Sequence, residues 1–141
     1  MWALENDRGP LGSDLGADTF SAYRAWRPHH RVVSAIKFLG SFLRDLGVPD
    51  RDWKLLDPLA LAKKFRRGSL AITTRDDVAI ALAFSELAMD GRVSRPVLQR
   101  ALLAIERQSL PGVAKARGRD AAARAHDLRA MKDVLEKAPA G

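Results

Sequence analysis

Thr74-Arg-Asp-Asp-Val-Ala-Ile-Ala-Leu-Ala-Phe-Ser-Glu-Leu-Ala-Met89, then Asp90-Gly-Arg-Val-Ser94, then Arg95-Pro-Val-Leu-Gln-Arg-Ala-Leu-Leu-Ala-Ile-Glu-Arg-Gln108: this stretch decides the fold. Val78, Ile80, Leu82, Phe84 and Leu87 fall on nearly every side of a helix, and a helix that is apolar all round must be surrounded by others. Burying each of them fully contributes ~1.5–3 kcal/mol, so the remaining elements are expected to pack around this segment. Thr73 or Thr74 can cap it, with Asp76 and Asp77 in the first turn at capping-box spacing. Asp90-Gly91 breaks the run, Ser94 is the candidate cap of a second helix, and Pro96 falls in a first turn that needs no N–H there. Val97, Leu98, Ala101, Leu102 and Ile105 then recur at helical spacing until Leu110-Pro111-Gly112 stops the helix.

Working outward, Asp50 to Leu56 reads as one or two helical turns anchored by Trp53 and Leu56. Asp57-Pro58 restarts a helix in the cap-then-proline pattern, with Leu59, Ala62 and Phe65 inward. Ser69 to Thr74 has an extended character. Toward the N-terminus, Val32, Ile36, Leu39, Leu43 and Leu46, joined by Val33, Phe38 and Phe42, predict an amphipathic helix ended by Gly47 and Pro49. Phe20, Tyr23 and Trp26 share one face of a shorter helix capped by Asp18 and interrupted by Pro28. Core packing explains that aromatic strip better than base stacking does, although Arg24 and Arg27 flank it. His29-His30 are adjacent, so their side chains diverge, and no further ligand stands at metal spacing. Beyond Gly112, Asp120 can cap a last helix with Ala121, Ala125, Leu128, Met131 and Leu135 on one face. Residues 1–17 lack periodicity and are expected to form a flexible arm, residues 18–137 the helical domain, and residues 138–141 a frayed end.

Composition bounds the function. A chain of 141 residues with 47% hydrophobic and 29% charged residues fits one domain with a sizeable core. Zero cysteines exclude disulfides, thiolate metal sites and a cysteine nucleophile. No apolar run approaches the ~20 residues of a membrane span and no signal peptide is recognisable, so a cytoplasmic location without membrane attachment is expected. The net charge of +7 makes nucleic acid the first partner to consider, because cations release counterions from phosphate. Basic genome-wide composition is the competing explanation.

Lys63, Lys64, Arg66 and Arg67 crowd the last turn of one helix, beyond what its dipole needs, and form a candidate phosphate patch. Lys115, Arg117 and Arg119, followed by Arg124 and Arg129, form a second track that a solvated face would also explain. Neither a phosphate-cradling glycine loop nor a zinc-protease or hydrolase motif occurs, and there is no Cys/His set, so neither catalysis nor a cofactor or metal is expected. As a calcium loop the turn around Gly91 fails, because Val97 stands where a bidentate glutamate is required.

The stretch Leu87-Ala-Met-Asp-Gly-Arg-Val-Ser-Arg-Pro-Val-Leu-Gln-Arg-Ala-Leu102 resembles the helix-turn-helix of repressor families, with small Ala88 at the helix crossing and Val93-Ser94 opening the second helix. That resemblance implies a DNA-reading helix from Ser94, with Arg95 and Gln99 reaching base edges and Arg100 a phosphate. The glycine here stands one place earlier than in that family, and a plain helical hairpin or a small all-α interaction domain fits the same pattern. The expectation is therefore an all-α single domain of five or six helices around the helix at about 74–89. Its expected role is DNA binding, as a transcription regulator or phage-type accessory factor, through Arg95, Gln99, Arg100, Lys63, Lys64, Arg66, Arg67, Lys115, Arg117 and Arg119. The alternative is a helical module that docks on an acidic or apolar protein surface, or on a second copy of itself.

Overall fold

The computed structural model describes residues 9–66, 71–116 and 121–140. Helices dominate them: α1 (Asp14–Trp26), a 3-10 turn (Arg27–His29), α2 (Ala35–Asp45), α3 (Pro58–Arg66), α4 (Ala71–Asp90), α5 (Arg95–Gln108), α6 (Pro111–Ala116) and α7 (Ala121–Lys137). The fold is all-α. As its all-round apolar sequence demands, α4 lies at the centre and packs against α1, α2 and α5, with every residue from Val78 to Glu86 buried. α7 closes over α5 through Leu128, Met131 and Leu135.

The aromatic strip of α1 is core. Tyr23 is fully buried, and Trp26 and Phe38 pack edge-to-face with ring centroids 5.5 Å apart. His30 is not a free surface group: its ring stacks on Trp26 at 4.3 Å, and its Nδ1 lies 2.9 Å from the Trp26 carbonyl.

Several boundaries differ from expectation, each for a local reason. α1 begins at Asp14, because the Ser13 hydroxyl accepts the Gly16 N–H at 3.0 Å, so Asp18 lies inside the helix and does not cap it. Part of the expected arm is therefore structure: Leu11 is buried, and a Cβ at Gly16 would collide with the Pro10 carbonyl. Residues 1–8 lie outside the description. α2 begins only after Ser34, whose extended backbone breaks the helical register, so Val32 stands outside the helix and is fully exposed. Leu46, also assigned inward, is partly exposed at the C-terminal end before Gly47 turns the chain with φ +72°.

α4 includes Ala71 to Thr74, so that stretch is helical rather than extended, and Thr73 and Thr74 are not caps. In α3 the inward residues are Leu61 and Phe65, packed with Leu55, Ile72, Leu110 and Val113, whereas Leu59 is exposed. This small satellite cluster chooses the buried face of a nine-residue helix that has little else to pack on. Pro111-Gly112 opens α6 as well as closing α5, which adds a helix to the expected number. The expected capping role of Asp120 lies outside the described residues.

The C-terminal residues do not simply fray. Val93 is buried in the turn between α4 and α5, where no helix partner serves its N–H, and it donates to the Pro139 carbonyl at 3.0 Å. Val93 and Ala140 form a parallel bridge there.

Candidate functional site

At the far end of the α4–α5 hairpin, Arg107 is wholly buried and donates to both oxygens of Asp76, at 2.9 and 2.7 Å. Its Nη1 serves the carbonyls of Trp53 and Leu55 at 2.9 and 2.7 Å, and Gln108 donates a third bond to Asp76 at 2.8 Å. Burial pushes the Asp76 carboxyl above the usual carboxylate range, while Arg107, Gln108 and Arg75 pull it back. Arg75, whose pKa burial lowers, lies over the Trp53 ring at 4.4 Å and donates to the Arg51 carbonyl. This cluster ties the loop of residues 50–57 to the hairpin. Asp76, read from the sequence as a first-turn acid, is instead the buried partner of Arg107, a pairing that was not anticipated.

On the outer side of the hairpin, α5 and α7 leave between them a groove of about 710 Å³. Half-buried Leu102 and Leu103 give it apolar surface over the buried Ile105 and Leu128, and Lys54, Arg100, Arg129 and Lys132 line it with cations against one acid, Glu106. Helical spacing creates the arrangement. Gln99, Leu102, Leu103 and Glu106 sit three and four apart on α5, and Leu128, Arg129 and Lys132 do the same on α7. The volume falls within the range of roughly 300–1,000 Å³ common to ligand clefts, and apolar lining with a few convergent polar groups is their usual chemistry.

The anticipated site residues divide. Gln99 and Arg100 line this groove. Gln99 is exposed, whereas Arg100 is half-buried with its guanidinium 5.2 Å from the Trp53 ring centre, so it braces the loop as well as facing outward. Arg95 is exposed on the first turn of α5. Lys63 and Lys64 are exposed on α3, and Lys64 lines a separate depression of about 110 Å³ with Arg51 and Arg75. Lys115 is exposed on α6. Arg66 belongs to α3 with its side chain outside the description, and Arg67, Arg117 and Arg119 lie outside the described residues. Lys54 and Lys132 went unanticipated because they are remote from each other along the chain, and only the packing of the 50–57 loop and α7 around α5 brings them together.

No group of three or more histidine, cysteine, aspartate or glutamate side chains able to hold a metal occurs among the described residues. Among the same residues, no helix is long and apolar enough to cross a membrane. Set against protein-family models, curated proteins and solved structures, the chain matches none of them.

Proposed function

We propose that the chain is an interaction module whose α5–α7 groove receives an acidic amphipathic helix from a partner protein. The observation that carries this reading is the pairing of an apolar lining with four cations and one acid in a single groove. Helix-in-groove recognition places apolar side chains of the ligand at i, i+3, i+4 and i+7 in such a groove. Glutamates flanking that stripe would meet Lys54, Arg100, Arg129 and Lys132, which sets orientation and speeds encounter more than it adds affinity.

Fluorescence anisotropy with designed helical peptides tests the reading. A peptide with a leucine stripe and glutamates elsewhere should bind, more weakly as salt rises, and its lysine counterpart with the same stripe should not. Leu103→Asp should weaken the acidic peptide about tenfold or more, equivalent to ~1.4 kcal/mol. Equal binding of both peptides, or indifference to Leu103→Asp, overturns it.

Duplex DNA is the second reading, favoured by the exposure of Arg95 and Gln99 on α5 and of Lys54, Lys63 and Lys64. Against it, Asp76 near the start of α4 bonds Arg107 near the end of α5, so the two helices run antiparallel. Helix-turn-helix units cross at roughly 90–120° instead. Duplex affinity that falls steeply with salt, is lost in Arg95→Glu and is untouched by Leu103→Asp would select DNA over the helical peptide.

A further inference from the structure

The turn end of the same hairpin carries a further concavity, of about 310 Å³, lined by arginines from two separate segments: Arg27 and Arg31 before α2, and Arg92 in the turn between α4 and α5. Arg27 is held in place. Its Nη1 donates to the carbonyls of Val33 at 3.1 Å and His30 at 3.4 Å, and its Nη2 lies 3.4 Å from Asp90. Arg31 and Arg92 are exposed, and neither forms an ion pair with a described residue.

The start of α5 faces this concavity in an unusual state. Ser94 has the extended backbone of a capping residue, φ −65° and ψ 144°, yet its side chain caps no amide of the helix. Its hydroxyl instead donates to Glu86 at 2.7 Å, and its own N–H points to the same carboxylate at 3.3 Å. Pro96 lacks an N–H and Val97 is fully buried, so the positive end of α5 acts on this space through its dipole rather than through open amides. Ser34, at the start of α2, lines the same space. Two helix N-termini therefore add their positive ends to three guanidinium groups.

Two acids stand nearby. Asp90 already receives Arg27 and the Tyr23 hydroxyl, the latter at 2.8 Å. Glu86, on the concavity wall, is buried and has its oxygens engaged by Ser94, and burial pushes its pKa up, toward the neutral form. Even with both counted as full charges, the three arginines leave a positive excess.

We propose that this concavity binds a phosphate monoester whose oxygens meet Arg31 and Arg92 across the space, beside the fixed guanidinium of Arg27. Arginine forks match phosphate oxygens in pairs. The concavity suits a single terminal phosphate, carried by a phosphorylated side chain or a mononucleotide. This site is independent of the α5–α7 groove, which lies further along α5.

Amide chemical shifts of the full chain, titrated with inorganic phosphate at constant ionic strength, provide the test. Saturable shifts at Arg31, Arg92 and Ser94 are expected, with chloride giving none. Phosphoserine and adenosine monophosphate as further arms distinguish a protein-borne from a nucleotide-borne phosphate by which binds more tightly. The double substitution Arg31→Ala with Arg92→Ala should weaken phosphate about tenfold or more without changing the melting temperature of the free protein, since both side chains are exposed. Arg92→Lys, which keeps the charge and removes the fork, should weaken it by a smaller factor and serves if the double variant fails to fold. Arg44→Ala, exposed on α2 and outside the concavity, should leave binding unchanged. Absence of saturable shifts, equal shifts with chloride, or unaltered affinity in the Arg31 and Arg92 variants overturns the proposal.

Discussion

The two ends of the α4–α5 hairpin use the same chemistry to opposite effect. At the closed end, Asp76, Arg107, Gln108 and Arg75 are all buried, and Arg107 alone makes four hydrogen bonds to a carboxylate and two loop carbonyls. At the open end, Glu86 and Asp90 hold Ser94, Tyr23 and Arg27, while Arg31 and Arg92 face outward. Ionic groups sealed from water must satisfy one another, because an unpaired charge there carries a desolvation penalty of several kcal/mol. Surplus charge survives only where solvent or a ligand can meet it. The closed end therefore belongs to architecture, and the open end offers recognition.

Breaking the closed end should have the largest effect. Arg107→Met leaves the Asp76 carboxylate buried without its main partner and should cost ~3–5 kcal/mol, read from urea unfolding. A loss below ~1 kcal/mol would mean that the network is not what joins the loop of residues 50–57 to the hairpin.

A middling effect is expected at the open end. Tyr23→Phe removes the O–H that donates to Asp90 at 2.8 Å and should cost ~1–2 kcal/mol by the same measurement. The phenol is well suited to that donation, because burial and the neighbouring Asp90 and Glu86 push its pKa far above the ordinary tyrosine value.

The smallest effect is a pH slope. Because burial raises the Glu86 pKa in the folded chain, the folded state holds more protons than the unfolded one between the ordinary glutamate value, 4.5, and its raised value. The stability linked to Glu86 is fully present below 4.5 and is lost as pH rises through the raised value. Glu86→Gln should flatten the fall of stability with rising pH across that window, read from urea midpoints at a series of pH values. A slope unchanged by the substitution would assign it to another group, with Asp76 the first candidate.

Much of this arrangement was legible in the residues. The unbroken apolar surface of Val78 to Leu87 made α4 central, and Asp90-Gly91 with Ser94-Arg-Pro96 marked the turn and the second helix. A trace of the closed end was readable too: Val97, Ala101, Ala104 and Gln108 run four, three and four apart, so Gln108 continues a buried face. Asp76 was assigned to a helix terminus because acids are common there, and only the three further residues at the start of α4 move it inside the helix. The face of α3 was misjudged because in a nine-residue helix two apolar sets fit almost equally well, and the contact with Ile72 and Val113 chose between them.

By itself the order of amino acids determined an all-helical chain, its central helix and an excess of positive charge, since periodicity, capping chemistry and composition act over a few neighbouring residues. Only the tertiary structure decided which charges are sealed and which remain open, and that Lys54, Arg100, Arg129 and Lys132 share a groove. Whether a guanidinium meets a carboxylate or water depends on which segments pack across it, and those segments are remote along the chain.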